Sequence, residues 1–277
     1  MRRVVSFQKL EDPNPLDIGI IAAQRAKLYQ AGFPIAPGFV LTPNFFKEYI
    51  IESGQHEAFF TVARSAKSIK EIHDYITSLE FPNHVEDEIL KACEALKGKT
   101  SVTVSGAFHD AVFELHGLQQ NQVLDAIKSS WASIFHDSRK SWLNKKTFFP
   151  SVIIQKDMNP EKSGSLYTHN PVNKAGSRIV IDVNYPSKST IAVRKEDGAL
   201  VGMKEVSKTI CLNDEEKDRL VKLAKSAESF YNAPQKISWV LGENLYITES
   251  RDITKEDANY FFNQATSSES RSKDSAN

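Results

Sequence analysis

The chain is 277 residues long, 40% hydrophobic and 25% charged, and its 35 lysines and arginines balance its 35 aspartates and glutamates. That length supports one large domain or two small ones around a sizeable core. The zero formal net charge removes the overall basic field with which a protein gathers nucleic acid or an acidic membrane. Two cysteines, Cys93 and Cys211, lack metal-type spacing and fit structural thiols of a reducing cytosol. The opening MRRVVSFQKL is too broken for a signal-peptide core, and no run approaches the roughly 18 apolar residues of a membrane span, so a soluble cytoplasmic protein is expected.

In chain order, LDIGIIAAQRAKLYQA (16–31) carries apolar residues near helical spacing and stops at Gly32. A short strand at Phe39, Val40 and Leu41 is bracketed by Pro34, Pro37 and Pro43, and Thr42-Pro43 opens a helix over 44–53. Helices are expected at 66–79 and 84–97, a strand at TSVTVSG (100–106), and an amphipathic helix at 120–135 with Val123, Ile127, Trp131 and Ile134 on its apolar face. From 150 to 210 the segments SVIIQKDM, GSLYTH, RIVIDVNY, TIAVRK and ALVGMKEV alternate with turns and predict a β-rich region. Asn213 and the acids after it open a helix to about 231.

KISWVLGENLYITESRDIT (236–254) then reads as a hairpin, because β-branched and aromatic residues flank a Gly-Glu-Asn turn. Glu249 and Arg251, two residues apart, share a face of its second strand. Such a pair is a surface ion pair, a structural strut, or part of a site for metal and phosphate. The expected organisation is an α/β lobe over 1–145, a β-rich lobe with the closing hairpin over 146–262, and a disordered tail over 263–277. The fold class is α+β / α/β.

The segments AGFPIAPGFVLT (31–42), IKSSWASIF (127–135), SGSLYTHNP (163–171) and the pair APQKISWV with LYITESRDIT resemble the N-terminal nucleotide-binding domain of phosphoenolpyruvate synthase and pyruvate phosphate dikinase. The resemblance spans about 16–254 and implies a two-lobed ATP-grasp-like fold, with ATP between the lobes and the hairpin lining that cleft. The family's first helix begins Gly-Gly-Lys, where this chain has Gly19, Ile20 and Ile21. Its Val-Arg-Ser-Ser strand places an arginine where Ser105 stands. Its Ile-Glu-Trp strand supplies a magnesium ligand at the position of Ser238, while its second hairpin strand carries Gln or Glu and then Arg, here Glu249 and Arg251.

The loops after TSVTVSG and after RIVIDVNY, which in the family are long and glycine-rich, are also shortened, so the backbone N–H cradles for phosphate look absent. One catalytic cation contributes about a thousandfold or more to phosphoryl transfer. The resemblance with these losses therefore implies a degenerate member: no catalytic residues, Arg251 and Glu249 as remnant positions, and weak binding of ATP and Mg2+ at most. Its role would be that of a binding or regulatory pseudoenzyme with a protein partner or a multi-subunit complex, without nucleic acid or membrane. The alternative is the ATP-binding subunit of a split phosphotransferase completed by partner subunits.

Other residues invite blander readings. His109, His116, His136 and His169 fall in no zinc-type spacing. Ser105, His109 and Asp110 lie too close in sequence for a catalytic triad, and no G-x-S-x-G elbow occurs. Trp131, Trp142 and Trp239 sit in apolar contexts that suit core packing.

Overall fold

The computed structural model describes residues 4–52, 54, 56–65, 68–105, 113–133, 151–172, 176–205 and 212–259. The chain divides into two compact units, Met1–Met158 and Asn159–Asn277. Each contains one antiparallel sheet and several or one long helix, an α+β architecture.

The sheet of the first unit runs β1-β2-β5-β3-β4, with β1 Val4–Ser6, β2 Gly38–Leu41, β3 Thr100–Ser105, β4 Glu114–Leu118 and β5 Ser151–Lys156. Its helices are α1 Pro15–Ile18, α2 Ile20–Gln30, α3 Pro43–Glu52, α4 His56–Ser65, α5 Ile69–Ser78, α6 Asn83–Glu94 and α7 Gln120–Ser133. Trp131 of α7 is fully buried and packs among Phe46 (ring centroids 4.8 Å apart), Tyr49 (5.2 Å), Phe81 (5.8 Å) and Phe45 (5.9 Å). Offset and edge-on rings of this kind gain more than area burial alone.

The second unit holds a six-stranded sheet in the order β11-β10-β6-β7-β8-β9. Its strands are β6 Lys162–Tyr167, β7 Arg178–Tyr185, β8 Ser189–Arg194, β9 Leu200–Glu205, β10 Gln235–Leu241 and β11 Leu245–Asp252. The long helix α8, Asp214–Tyr231, packs on β10, β6 and β7. Its start is a capping box: Asn213 Oδ1 accepts the Glu216 N–H at 2.9 Å and Glu216 Oε2 accepts the Asn213 N–H at 2.8 Å. It ends at Asn232 in the left-handed region, φ 52°.

Four differences from the sequence reading have local causes. The helix expected over 16–31 is broken at Gly19, whose φ is +83°. The strand β5, expected to head the β-rich part, lies instead between β2 and β3 in the first sheet. This moves the division of the chain from residue 145 to the Met158–Asn159 step. Helix α4 and strand β4 were not foreseen: β4 carries Glu114, His116 and Gly117, a composition without strand propensity that pairing with β3 overrides. Residues 106–112, 134–150, 206–211 and the tail from 260, which include His109, Asp110, His136, Trp142 and Cys211, lie outside the described residues.

Candidate functional site

At the start of α2, chain geometry is dictated by a close approach. A Cβ on Gly19 would lie 2.3 Å from Ser105 Oγ and 2.6 Å from the Ser105 carbonyl oxygen, so only glycine fits there. Ser105 ends β3, is fully buried, and accepts the Ala22 N–H on its hydroxyl at 3.3 Å. Ala22 is the third residue of α2, so a hydroxyl from a distant strand satisfies one of the helix's open N–H groups. Ser151, paired with Ser105 in the sheet, donates its hydroxyl to the Ile18 carbonyl. Two serines on neighbouring strands thus fasten the chain on either side of Gly19. Ile21, the second residue of α2, is half-buried.

In the second unit, β10 and β11 pair with Lys236 opposite Arg251 and Ser238 opposite Glu249, and a bulge follows at Ser238–Trp239. Ser238 donates its hydroxyl to Glu249 Oε2 at 3.2 Å. Arg251 has its nearest contact with Glu249 at 3.9 Å, from Nε to Oε1. Its two terminal nitrogens go elsewhere, to the two oxygens of Asp257 at 2.7 and 2.9 Å. Asp257 is buried, and also accepts the Thr254 N–H at 2.8 Å and the Thr254 hydroxyl at 3.1 Å. Burial alone would raise its carboxyl, but the Arg251 fork, the Thr254 N–H and nearby Lys236 outweigh that and hold it at about 2. The same carboxylate keeps Arg251 still more firmly charged.

Of the residues read from the sequence, Glu249, Arg251 and Ser238 are brought together, as are Gly19 and Ser105. Asp257 and Lys236 were missed. The signal for Asp257 was present as Thr254-x-x-Asp257, a capping signature at the start of the helical residues 255–259.

Two histidines meet carboxylates. His116 Nδ1 lies 3.4 Å from Asp157 and its Nε2 3.7 Å from Glu114, and the Glu114 contact leads in raising its pKa. In the second unit, Glu228 takes Lys195 Nζ at 2.7 Å and His169 Nε2 at 3.3 Å beside a cavity of about 470 Å3 that Lys225 and Asn232 also line.

A divalent cation fits the hairpin poorly. The position opposite Glu249 offers a neutral hydroxyl, and that hydroxyl donates to the carboxylate rather than presenting a second anionic oxygen. Among the described residues, no group of three or more His, Cys, Asp or Glu could hold a metal ion. No helix among them is long and apolar enough to cross a membrane.

The class that the described elements define is an α+β protein of two units, each built on an antiparallel sheet. The chain belongs to the family described as pyruvate phosphate dikinase, AMP/ATP-binding domain, whose model matches residues 18–186. Among curated relatives, a probable phosphoenolpyruvate synthase of Archaeoglobus fulgidus is 26% identical over 88% of this chain and 41% of its own length. That of Methanothermobacter thermautotrophicus is 24% identical over 92% and 46%. A rifampicin phosphotransferase of Bacillus cereus is 22% identical over 91% and 36%. The chain therefore spans less than half the length of these relatives. An ADP complex of N5-carboxyaminoimidazole ribonucleotide synthetase is similar in structure, with TM-score 0.45 and 10% identity over 86% of this chain and 45% of that one.

Proposed function

We propose that this chain is a nucleotide-binding-type domain that has lost phosphotransfer and works by binding, as a regulatory pseudoenzyme engaged with a protein partner. The observation that carries this reading is the state of Arg251: both terminal nitrogens are held by Asp257 at 2.7 and 2.9 Å, so the guanidinium is already committed. A serine beside Glu249 where a second metal ligand is needed, and a buried serine at position 105 where a phosphate-bridging arginine is needed, support the same conclusion. Positioned cations and metal are the substance of phosphoryl-transfer catalysis. Losing several together leaves little to measure, even without additivity.

The test is Mg-ATP titration of the purified chain by calorimetry and thermal shift, with hydrolysis and exchange followed in parallel. ATP should bind more weakly than about 100 μM, since one charge-assisted contact contributes roughly 1.5–3 kcal/mol, and turnover should stay at background. A micromolar, magnesium-dependent constant would overturn the reading. So would phosphate transfer that appears with partner subunits and is lost in Arg251→Ala, in which case the chain is the ATP-binding subunit of a split phosphotransferase.

A further inference from the structure

We propose that the cavity at the carboxyl end of α8 is a ligand site in its own right, and that it takes a small organic dicarboxylate. It lies on the side of the second sheet away from Glu249. Along β10, Ile237, Trp239 and Leu241 are buried, while Lys236, Ser238 and Val240 alternate with them and are half-buried. Since α8 packs on that strand, the helix covers the buried set, and Ser238 with Glu249 faces the other way.

Three segments meet at the cavity of about 470 Å3, and each is fastened. The Gln235 N–H donates to the Thr168 hydroxyl and the Thr168 N–H to the Gln235 carbonyl, both at 2.9 Å, so the strand ends that carry His169 and Pro234 are held side by side. The Lys195 N–H donates to the Ser177 carbonyl at 2.8 Å. Gly176 lies against the imidazole, where an added Cβ would stand 3.1 Å from His169 Cε1.

The lining carries a surplus of donors and of positive charge. Its one carboxylate, Glu228, is already occupied, with Lys195 Nζ on Oε2 and His169 Nε2 on Oε1. Burial would raise that carboxyl, but Lys195 and the Thr168 side chain outweigh it and hold the group low. An ammonium has three donors and no acceptor. Lys195 gives one to Glu228, and Lys225 gives one to the Glu196 carbonyl at 3.1 Å, a neutral partner that leaves its charge unbalanced. Ser229 and Asn232 bring a hydroxyl and an amide. An acceptor-rich anion completes this set. Two ammonium groups on separate segments are point charges without the planar fork of arginine, which suits two spaced carboxylates. Ala233 and Pro234 give the carbon chain between them an apolar wall. The site stands whether or not the chain has lost phosphotransfer.

The experiment is titration of succinate into the isotope-labelled full chain at low salt, where charge pairing is least screened, followed by amide NMR shifts. Saturable shifts are expected within 168–170 and 225–234 and not within 245–252. Lys225 is exposed, so Lys225→Gln should fold normally and bind at least about tenfold more weakly, the loss of one charge-assisted contact. Arg251→Gln should bind like the wild type, and uncharged succinamide should produce no shifts. The proposal is overturned if the cavity amides show no saturable shift, if Lys225→Gln binds as well as wild type, or if Arg251→Gln abolishes binding. Inorganic phosphate binding as tightly as succinate overturns it too, since the cavity would then accept any anion.

Discussion

Placing an arginine at position 105 should unfold the first unit rather than create a phosphate contact. Ser105 is fully buried, its hydroxyl is 3.3 Å from the Ala22 nitrogen, and its backbone presses on Gly19 so closely that a methyl group there would sit 2.6 Å from the Ser105 carbonyl oxygen. Ser105→Ala removes the hydroxyl alone and leaves a buried helix N–H open, a loss of about 1–2 kcal/mol. Ser105→Arg adds both an overpacked stem and a buried charge with no carboxylate beside it. Overpacking costs about 1–3 kcal/mol and an uncompensated buried charge about 3–5 kcal/mol. The sum is comparable with the whole stability of a typical domain, roughly 5–15 kcal/mol. Scanning calorimetry should show Ser105→Ala melting about 2–8 °C below wild type, at about 2–4 °C per kcal/mol for a unit of this size, and Ser105→Arg with no cooperative transition for the first unit. A Ser105→Arg protein that melts within a few degrees of wild type would refute this account of the packing around Gly19.

The acid limb of stability should report Asp257. Its folded pKa, about 2, lies below the ordinary 3.8, so its contribution is present above pH 3.8 and is lost as pH falls through that interval towards 2. A shift of this size is worth about 2 kcal/mol, and the melting-temperature gap between wild type and Asp257→Asn should close by that amount between pH 5 and pH 2; a constant gap would rule it out. Gly164→Ala should cost at least about 3 kcal/mol, because the added Cβ would meet the Asp182 carbonyl oxygen at 2.0 Å and Trp239 at 2.8 Å. A denaturant midpoint like that of wild type would contradict it.

The parts of this molecule legible in the sequence are those where local chemistry and tertiary packing agree. Asn213 with Glu216 announced α8, and the Gly-Glu-Asn turn announced the hairpin, in each case because the signal is complete within a few residues. The continuous apolar run Val152–Ile154 was recognisable as a strand, but its place was not. A strand buried on both faces gives no clue to its neighbours, and its partners β2 and β3 lie far back in the chain. At the hairpin, Glu249 and Arg251 were found from their two-residue spacing, whereas the lysine opposite and the aspartate beyond needed the register and a change of chain direction. The breadth of the β3–Gly19 contact was likewise invisible, since positive φ and contact with a residue over eighty positions away leave no pattern in one segment.

The late position of β5 bears on how the chain acquires its shape. Strands β1 and β2 form one ribbon and β3 and β4 another, and β5, which arrives only at residues 151–156, is the strand that bonds the two together. Until it leaves the ribosome, both ribbons offer an unpaired edge, the kind of edge that templates association between chains. Pairings over such sequence distances form slowly because loop closure must precede any reward. Synthesis stalled before residue 151 should therefore yield a sticky, chaperone-bound intermediate, and the first unit should become protease-resistant in one step as β5 emerges.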